Sequence, residues 1–121
     1  MKNLVLVNFK SYKEGSFDRA LKLAKICDDL SKKFQKEIMI AVEAADIFNI
    51  SRHVKIKVLA QHIDPVYANR STGFIEATDI KKNGAYGTIL NHSEHKLKYN
   101  DLKKSVGLAR KAKLKNLFQT A

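Results

Sequence analysis

Apolar residues along this chain fall into short continuous runs, separated by stretches with helical spacing. Leu4-Val5-Leu6-Val7 before Asn8 is the first run, and an unbroken run predicts a strand covered on both faces. Gly15-Ser16 then opens a helix, with Ser16 as its N-cap and Asp18 placed to meet the helix dipole. Phe17, Ala20, Leu21, Ala24, Cys27 and Phe34 recur at helical intervals, which gives that helix one buried stripe. Ile38-Met39-Ile40-Ala41-Val42 predicts a second buried strand. A shorter helix over 44–51 follows, then a third strand at Ile56-Lys57-Val58-Leu59-Ala60.

The second part of the chain repeats the alternation. Residues 61–73 form a long polar loop that holds the only proline, Pro65. Residues 76–83 predict a short helix closed by Gly84, which tolerates a positive φ. A fourth strand covers 86–90, and Asn100-Asp101 opens a helix with Leu102, Val106 and Ala109 as its apolar stripe. Leu117-Phe118 begins a fifth strand. Strands separated by helices pair in parallel through right-handed crossovers, in a barrel or in an open doubly wound sheet. The first strand lacks the glycine pattern with which an open nucleotide-binding sheet holds phosphate, and this favours the barrel. The expected fold is α/β: half of a (β/α)8 barrel, with four to five parallel strands, forming one domain over residues 1–121.

Composition narrows the function classes. With 45% hydrophobic and 29% charged residues the chain is ordinary for a soluble globular protein. No apolar stretch approaches the ~20 residues of a membrane span. The start of the chain has too short an apolar core for a signal peptide. A single cysteine, Cys27, excludes an internal disulfide and suits the reducing cytoplasm. The net charge of +11 permits nucleic-acid binding through phosphate neutralisation. The lysines are scattered over helices and their exits, however, and no aromatic run interleaves with them as a stacking surface would need. The distribution therefore disfavours a nucleic-acid role.

Candidate chemistry sits just after two of the strands. Asn8-Phe9-Lys10 follows the first and Asn91-His92-Ser93-Glu94 follows the fourth. In a parallel barrel the C-terminal ends of the strands converge on one face, so these groups share a pocket. An amide, a lysine, an imidazole and a carboxylate there suit holding a small anion and moving protons. A metal site built from His62, His92 and His95 competes with that reading. It has no supporting cysteine cluster or Glu-x-x-His helix, so neither a metal nor another cofactor is expected.

Four blocks carry a resemblance: Asn8-Phe9-Lys10-Ser11-Tyr12, Ala60-Gln61-His62-Ile63-Asp64-Pro65, Ser71-Thr72-Gly73 and Asn91-His92-Ser93-Glu94-His95. In this order and spacing the chain resembles the N-terminal half of a triosephosphate isomerase, and within that family the short archaeal form. The resemblance implies interconversion of dihydroxyacetone phosphate and glyceraldehyde 3-phosphate in glycolysis and gluconeogenesis. It implies that Asn8 and Lys10 bind substrate and that Lys10 also polarises the carbonyl. His92 is implied as the electrophile that donates to the enediolate oxygen. The family is itself the established case of a histidine kept neutral by a helix N-terminus. Glu94 and Ser93 take supporting places in the same motif. Thr72 stands at the tip of a loop that, in the family, crosses into a neighbouring subunit. Phe74, Asn69-Arg70 and Val42-Glu43-Ala44-Ala45 depart from the family pattern.

The family's proton-abstracting glutamate follows the sixth strand, and its phosphate-gripping amides follow the seventh and eighth. Glu37, Glu43 and Glu76 do not match the motif of that glutamate. The chain ends at Ala121, about where half of a barrel would be built. A general base contributes roughly 10²–10⁴-fold to rate, so the half alone is expected to keep binding residues without turnover. Five parallel strands without the rest leave two unpaired edges and an uncovered inner face, both of which drive association. The expected partners are a triose phosphate and either a C-terminal half chain or a second copy in a homo-oligomer. A non-catalytic half-barrel that serves only as an association module stays open as the alternative.

Overall fold

The run Leu4-Val5-Leu6-Val7 forms strand β1 (Leu4–Asn8), hydrogen-bonded in parallel to β2 (Glu37–Val42). The structure of the protein, a computed structural model, describes residues 3–118. Helix α1 (Phe17–Phe34) makes the first crossover. A 3-10 turn at Ala44–Asp46 leads into the one-turn helix α2 (Ile47–Ser51), so the helix expected over 44–51 is split. Strand β3 (Lys57–Ala60), helix α3 (Ala77–Lys82), strand β4 (Gly87–Leu90), helix α4 (Tyr99–Lys111) and strand β5 (Lys115–Phe118) complete the alternation. All pairings are parallel and the strand order is β1-β2-β3-β4-β5, the order of a barrel wall.

Alternation along the strands divides the core into two layers. Ile40, Val42, Val58, Ala60 and Leu90 face the helices and pack with Ala20, Ala24, Ile47, Ile50, Ile80 and Ala109. Met39, Ala41, Leu59 and Ile89 form a second cluster on the concave face, with Tyr86 and Leu117 against it. One hydrogen-bonded row runs Asn8, Ala41, Leu59, Gly87, Lys115 across the sheet. Gly87 lets β5 approach, since a Cβ there would lie 3.1 Å from that of Lys115.

Several expectations are corrected by the structure. Strand β1 is not covered on both faces: Leu4, Val5 and Leu6 are 46%, 45% and 37% exposed. The cause is position, because among the described residues β1 is an edge strand with a neighbour on one side only. Phe17 and Phe34 leave the expected stripe of α1, which buries Ala20, Ala24, Cys27 and Asp28. Phe17 has φ 52, outside the helical region, which turns its side chain off the packed face. Phe34 lies at the last turn, where the chain exits through Gln35 in the left-handed region, and its ring meets the Lys33 ammonium at 5.4 Å. Ser16 precedes α1 without a side-chain capping bond; the Phe17 N–H donates to Asp46 Oδ2 at 3.1 Å instead. Helix α4 begins at Tyr99 rather than Asn100, and β5 begins at Lys115 rather than Leu117. No helix among the described residues is long and apolar enough to cross a membrane.

Candidate active site at the strand ends

A left-handed residue follows each of strands β1 and β4, Lys10 with φ 51 two residues past β1 and Asn91 with φ 58 directly after β4. That conformation is uncommon outside glycine and has to be held by its surroundings. At Lys10 the holding group is Asn8, whose Oδ1 accepts the Lys10 backbone N–H at 2.9 Å. Gln61, just beyond β3, donates from Nε2 to the Lys10 carbonyl at 2.9 Å and to Asn8 Oδ1 at 3.3 Å. These bonds lock the ends of β1 and β3 together and fix where the Lys10 side chain starts.

After β4 the chain folds into a short turn. Asn91 Oδ1 accepts the Leu97 N–H at 2.9 Å, and the His92 carbonyl accepts the His95 N–H at 2.8 Å. Inside this turn the Glu94 N–H donates to His92 Nδ1 at 3.0 Å. A ring nitrogen that accepts a hydrogen bond carries its lone pair there, so the ring proton sits on Nε2. Glu94 Oε1 also lies 3.5 Å from Nδ1, a contact that would suit an imidazolium. The shorter bond decides between them, because a backbone N–H has only a proton to offer. His92 is therefore in its Nε2–H tautomer, with a donor left over for something else.

Glu94 then reaches across to β1, where its Oε1 lies 3.1 Å from Lys10 Nζ. The hydrogen bond and the charge of Glu94 raise the Lys10 pKa above its ordinary 10.5. Lys10 stays a cation through the neutral range.

Asn8, Lys10, Gln61, His62, His92 and Glu94 line a cavity of about 340 Å³ at this face, large enough for a small metabolite. Four of the residues expected from sequence are thus gathered: Asn8, Lys10, His92 and Glu94. Ser93 and Thr72 are exposed and do not line the cavity. Gln61, which the sequence shows only within a matching block, and His62 and His95, which it offers only as a competing metal set, also line the cavity. The signal that could have found them is Ala60-Gln61-His62, a polar group at a strand end like the other two. His62 is buried and donates from Nε2 to Asp64 Oδ1 at 3.2 Å, while the ring of His95 stacks on it at 3.6 Å. Burial, with the nearby His95, pushes the His62 pKa below 6.5 against the opposing pull of Asp64. Among the described residues no group of three His, Cys, Asp or Glu side chains is arranged to hold a metal.

Five parallel strands in wall order, with a polar cavity at their C-terminal ends, define one half of a TIM-type barrel protein. The family model described as triosephosphate isomerase matches residues 3–120, and the chain belongs to that family. The triosephosphate isomerase of Methanothermus fervidus is 41% identical over 103 residues, 85% of this chain and 46% of that protein. That of Archaeoglobus fulgidus is 41% identical over 117 residues, 97% of this chain and 52% of the relative. The crystal structure of triosephosphate isomerase from Bartonella henselae superposes with a TM-score of 0.80 at 23% identity, covering 98% of this chain and 51% of that one. The last comparison shows the shared fold. This chain spans about half the length of the curated relatives it matches.

Proposed function

We propose that this chain, as a single domain over residues 1–121, supplies the first half of a triosephosphate-isomerising site. The rest of the site, including the base that abstracts the substrate proton, comes from the strands that complete the barrel. One observation carries the reading: Lys10 and His92, from the first and fourth strands, line one cavity and are joined through Glu94. The cation of Lys10 draws in a phosphorylated triose and polarises its carbonyl, with the Asn8 amide beside it. The Nε2–H of His92 donates to the oxygen that becomes negative in the enediolate. Such a donor is worth roughly 10²–10³-fold in rate. Glu94 orients both groups, and Ser93 lies within the turn between them. Thr72 is exposed on the loop after β3, which suits a part in the pocket of a neighbouring subunit in a homo-oligomer. Glycolysis and gluconeogenesis in the cytoplasm are the setting that the family and the free, buried Cys27 support.

Among the described residues that line the cavity none matches the family's proton-abstracting glutamate, so turnover is expected to depend on completion. Mixing it with a C-terminal half of the Archaeoglobus fulgidus relative should restore conversion of dihydroxyacetone phosphate to glyceraldehyde 3-phosphate. No recovered turnover at any ratio, in a mixture shown to associate, counts against the reading. Exposed Leu4, Val5 and Leu6 also favour a second one, in which the half-barrel serves only to associate. A complex that forms without turnover is what that reading predicts.

A further inference from the structure

The turn that carries His92 and Glu94 has to be held against the sheet, and two contacts from opposite sides can do it. On the β1 side is the ion pair of Glu94 with Lys10, whose side chains are 60% and 34% exposed. Exposed pairs of this kind fix geometry weakly. On the β3 side the His95 ring lies on His62 at 3.6 Å with 13° between the planes. His62 makes a firm floor. It is buried, its Nε2–H is held by Asp64 Oδ1, and Asp64 Oδ2 in turn accepts the Ile75 N–H at 2.7 Å. The Asp64 N–H donates to the Ile75 carbonyl at 2.8 Å, so the base of the loop after β3 is closed by a reciprocal pair.

We propose that the His62–His95 stack is the positioning device for His92: it clamps the turn after β4 onto β3 and so aims the His92 Nε2–H into the cavity. His95 reaches His92 directly, since its backbone N–H donates to the His92 carbonyl. Rotating His95 off its floor therefore pulls on the residue that carries the donor. Neither stacked histidine needs to touch substrate; both are positioning residues.

The stack is also sensitive to protons. Two neutral rings attract at this separation, whereas charge on both sets like charges face to face. The ionisable groups around His62 are Asp64, on its own loop, His95, from the turn after β4, and the cavity groups Lys10, Glu94 and His92. Asp64 favours the proton on His62; burial and His95 oppose it, and the opposition is the larger effect. The clamp is closed at neutral pH and opens as the medium becomes acidic.

This inference leans on the proposed function only for the importance of His92, and it is tested on the chain by itself, without turnover. The chain has four histidines, so their imidazole ¹⁵N resonances can be assigned one by one. At pH 8 His92 should show a single tautomer, with its proton on Nε2 and a hydrogen-bonded Nδ1. His95→Ala should lose that signature and give tautomer-averaged shifts. His95→Phe, which keeps a flat ring on His62, should restore it. On lowering the pH of the unsubstituted chain, the His62 ring should take up its second proton only below the ordinary 6.5. In His95→Phe, which removes the His95 charge that opposes it, that step should move to higher pH. His95 is exposed, so both variants are expected to fold, which far-UV circular dichroism checks. A His92 spectrum unchanged in His95→Ala overturns the proposal, as does a His95→Phe spectrum that matches His95→Ala. If positioning holds and the completed enzyme is still inactive, the functional reading fails and this one stands.

Discussion

Lys10 Nζ lies 3.1 Å from Glu94 Oε1, a contact that joins the end of β1 to the turn after β4. The same Glu94 offers its backbone N–H to His92 Nδ1, so one residue touches both the cation and the imidazole. Because Glu94 heads the causes that raise the Lys10 pKa, Glu94→Gln should bring it back towards 10.5. The titration of the Lys10 ε-methylene resonances reads this directly. The sign is that of a raised base: the pair's contribution is present below the ordinary lysine pKa and is lost as pH rises through the folded value. Both side chains are largely solvated, so the urea midpoint of Glu94→Gln at pH 7 should stay near that of the unsubstituted chain.

Asp28 is a structural charge on the opposite, N-terminal side of the sheet. Its Oδ1 accepts the backbone N–H groups of Lys55 and Ile56, each at 3.1 Å, and its Oδ2 lies 3.3 Å from Lys32 Nζ. Asp28 is 6% exposed, so removing it strands two donors where water reaches poorly. Asp28→Ala should cost about 2–3 kcal/mol in urea unfolding. Asp28→Asn, which can keep an acceptor in place, should cost less.

Gly84 closes helix α3 with φ +107, and a Cβ there would lie 2.7 Å from the Cβ of Ser51. The Ser51 hydroxyl donates to the Asn83 carbonyl at 2.9 Å, so it is not free to move aside. Backbone strain and overlap act together in Gly84→Ala. A loss of about 2 kcal/mol or more is expected from chemical denaturation.

His62 makes folding sensitive to acid. Its folded pKa is depressed, chiefly by burial, so the unfolded chain binds the proton more readily. Stability from this group is therefore level above pH 6.5 and declines as pH falls below it. His62→Gln should flatten the urea midpoint between pH 7 and pH 5. An equally steep fall in that variant would assign the acid sensitivity elsewhere.

Strand β1 presents Leu4, Val5 and Leu6 at an edge of the sheet. Such a row pairs with another chain unless it is interrupted by charge. Light scattering of the purified chain should give a mass above that of one copy. Leu4→Lys combined with Leu6→Lys should reduce it to the mass of one copy.

How much of this was legible in the sequence follows from which interactions are local. The strand Glu37–Val42 announces itself as an unbroken apolar run whose burial agrees with it, whereas Leu4–Asn8 carries the same kind of run at an exposed edge. The polar groups at the ends of the first and fourth strands could be placed on one rim from topology alone, and Asn8, Lys10, His92 and Glu94 do share a cavity. Long-range partners were not legible. Ser16 reads as a cap, yet the N–H of Phe17 is taken by Asp46, which only the fold brings near. The role of Gln61 as a tie between β1 and β3 depends on register, and the stack of His62 with His95 depends on how two loops meet. Phe17 fits a helical stripe by spacing, but its positive φ is a property of the turn before the helix and leaves no periodic trace.

The central claim is that His92 and Lys10 act together in a site completed by other strands. The most direct measurement is turnover of dihydroxyacetone phosphate by this chain mixed with the C-terminal half of the Archaeoglobus fulgidus relative, compared with the same mixture carrying His92→Gln. The account predicts restored turnover for the unsubstituted chain and a kcat lower by about 10²–10³-fold in the variant, with association of the halves unchanged. Equal turnover in the two mixtures would contradict it.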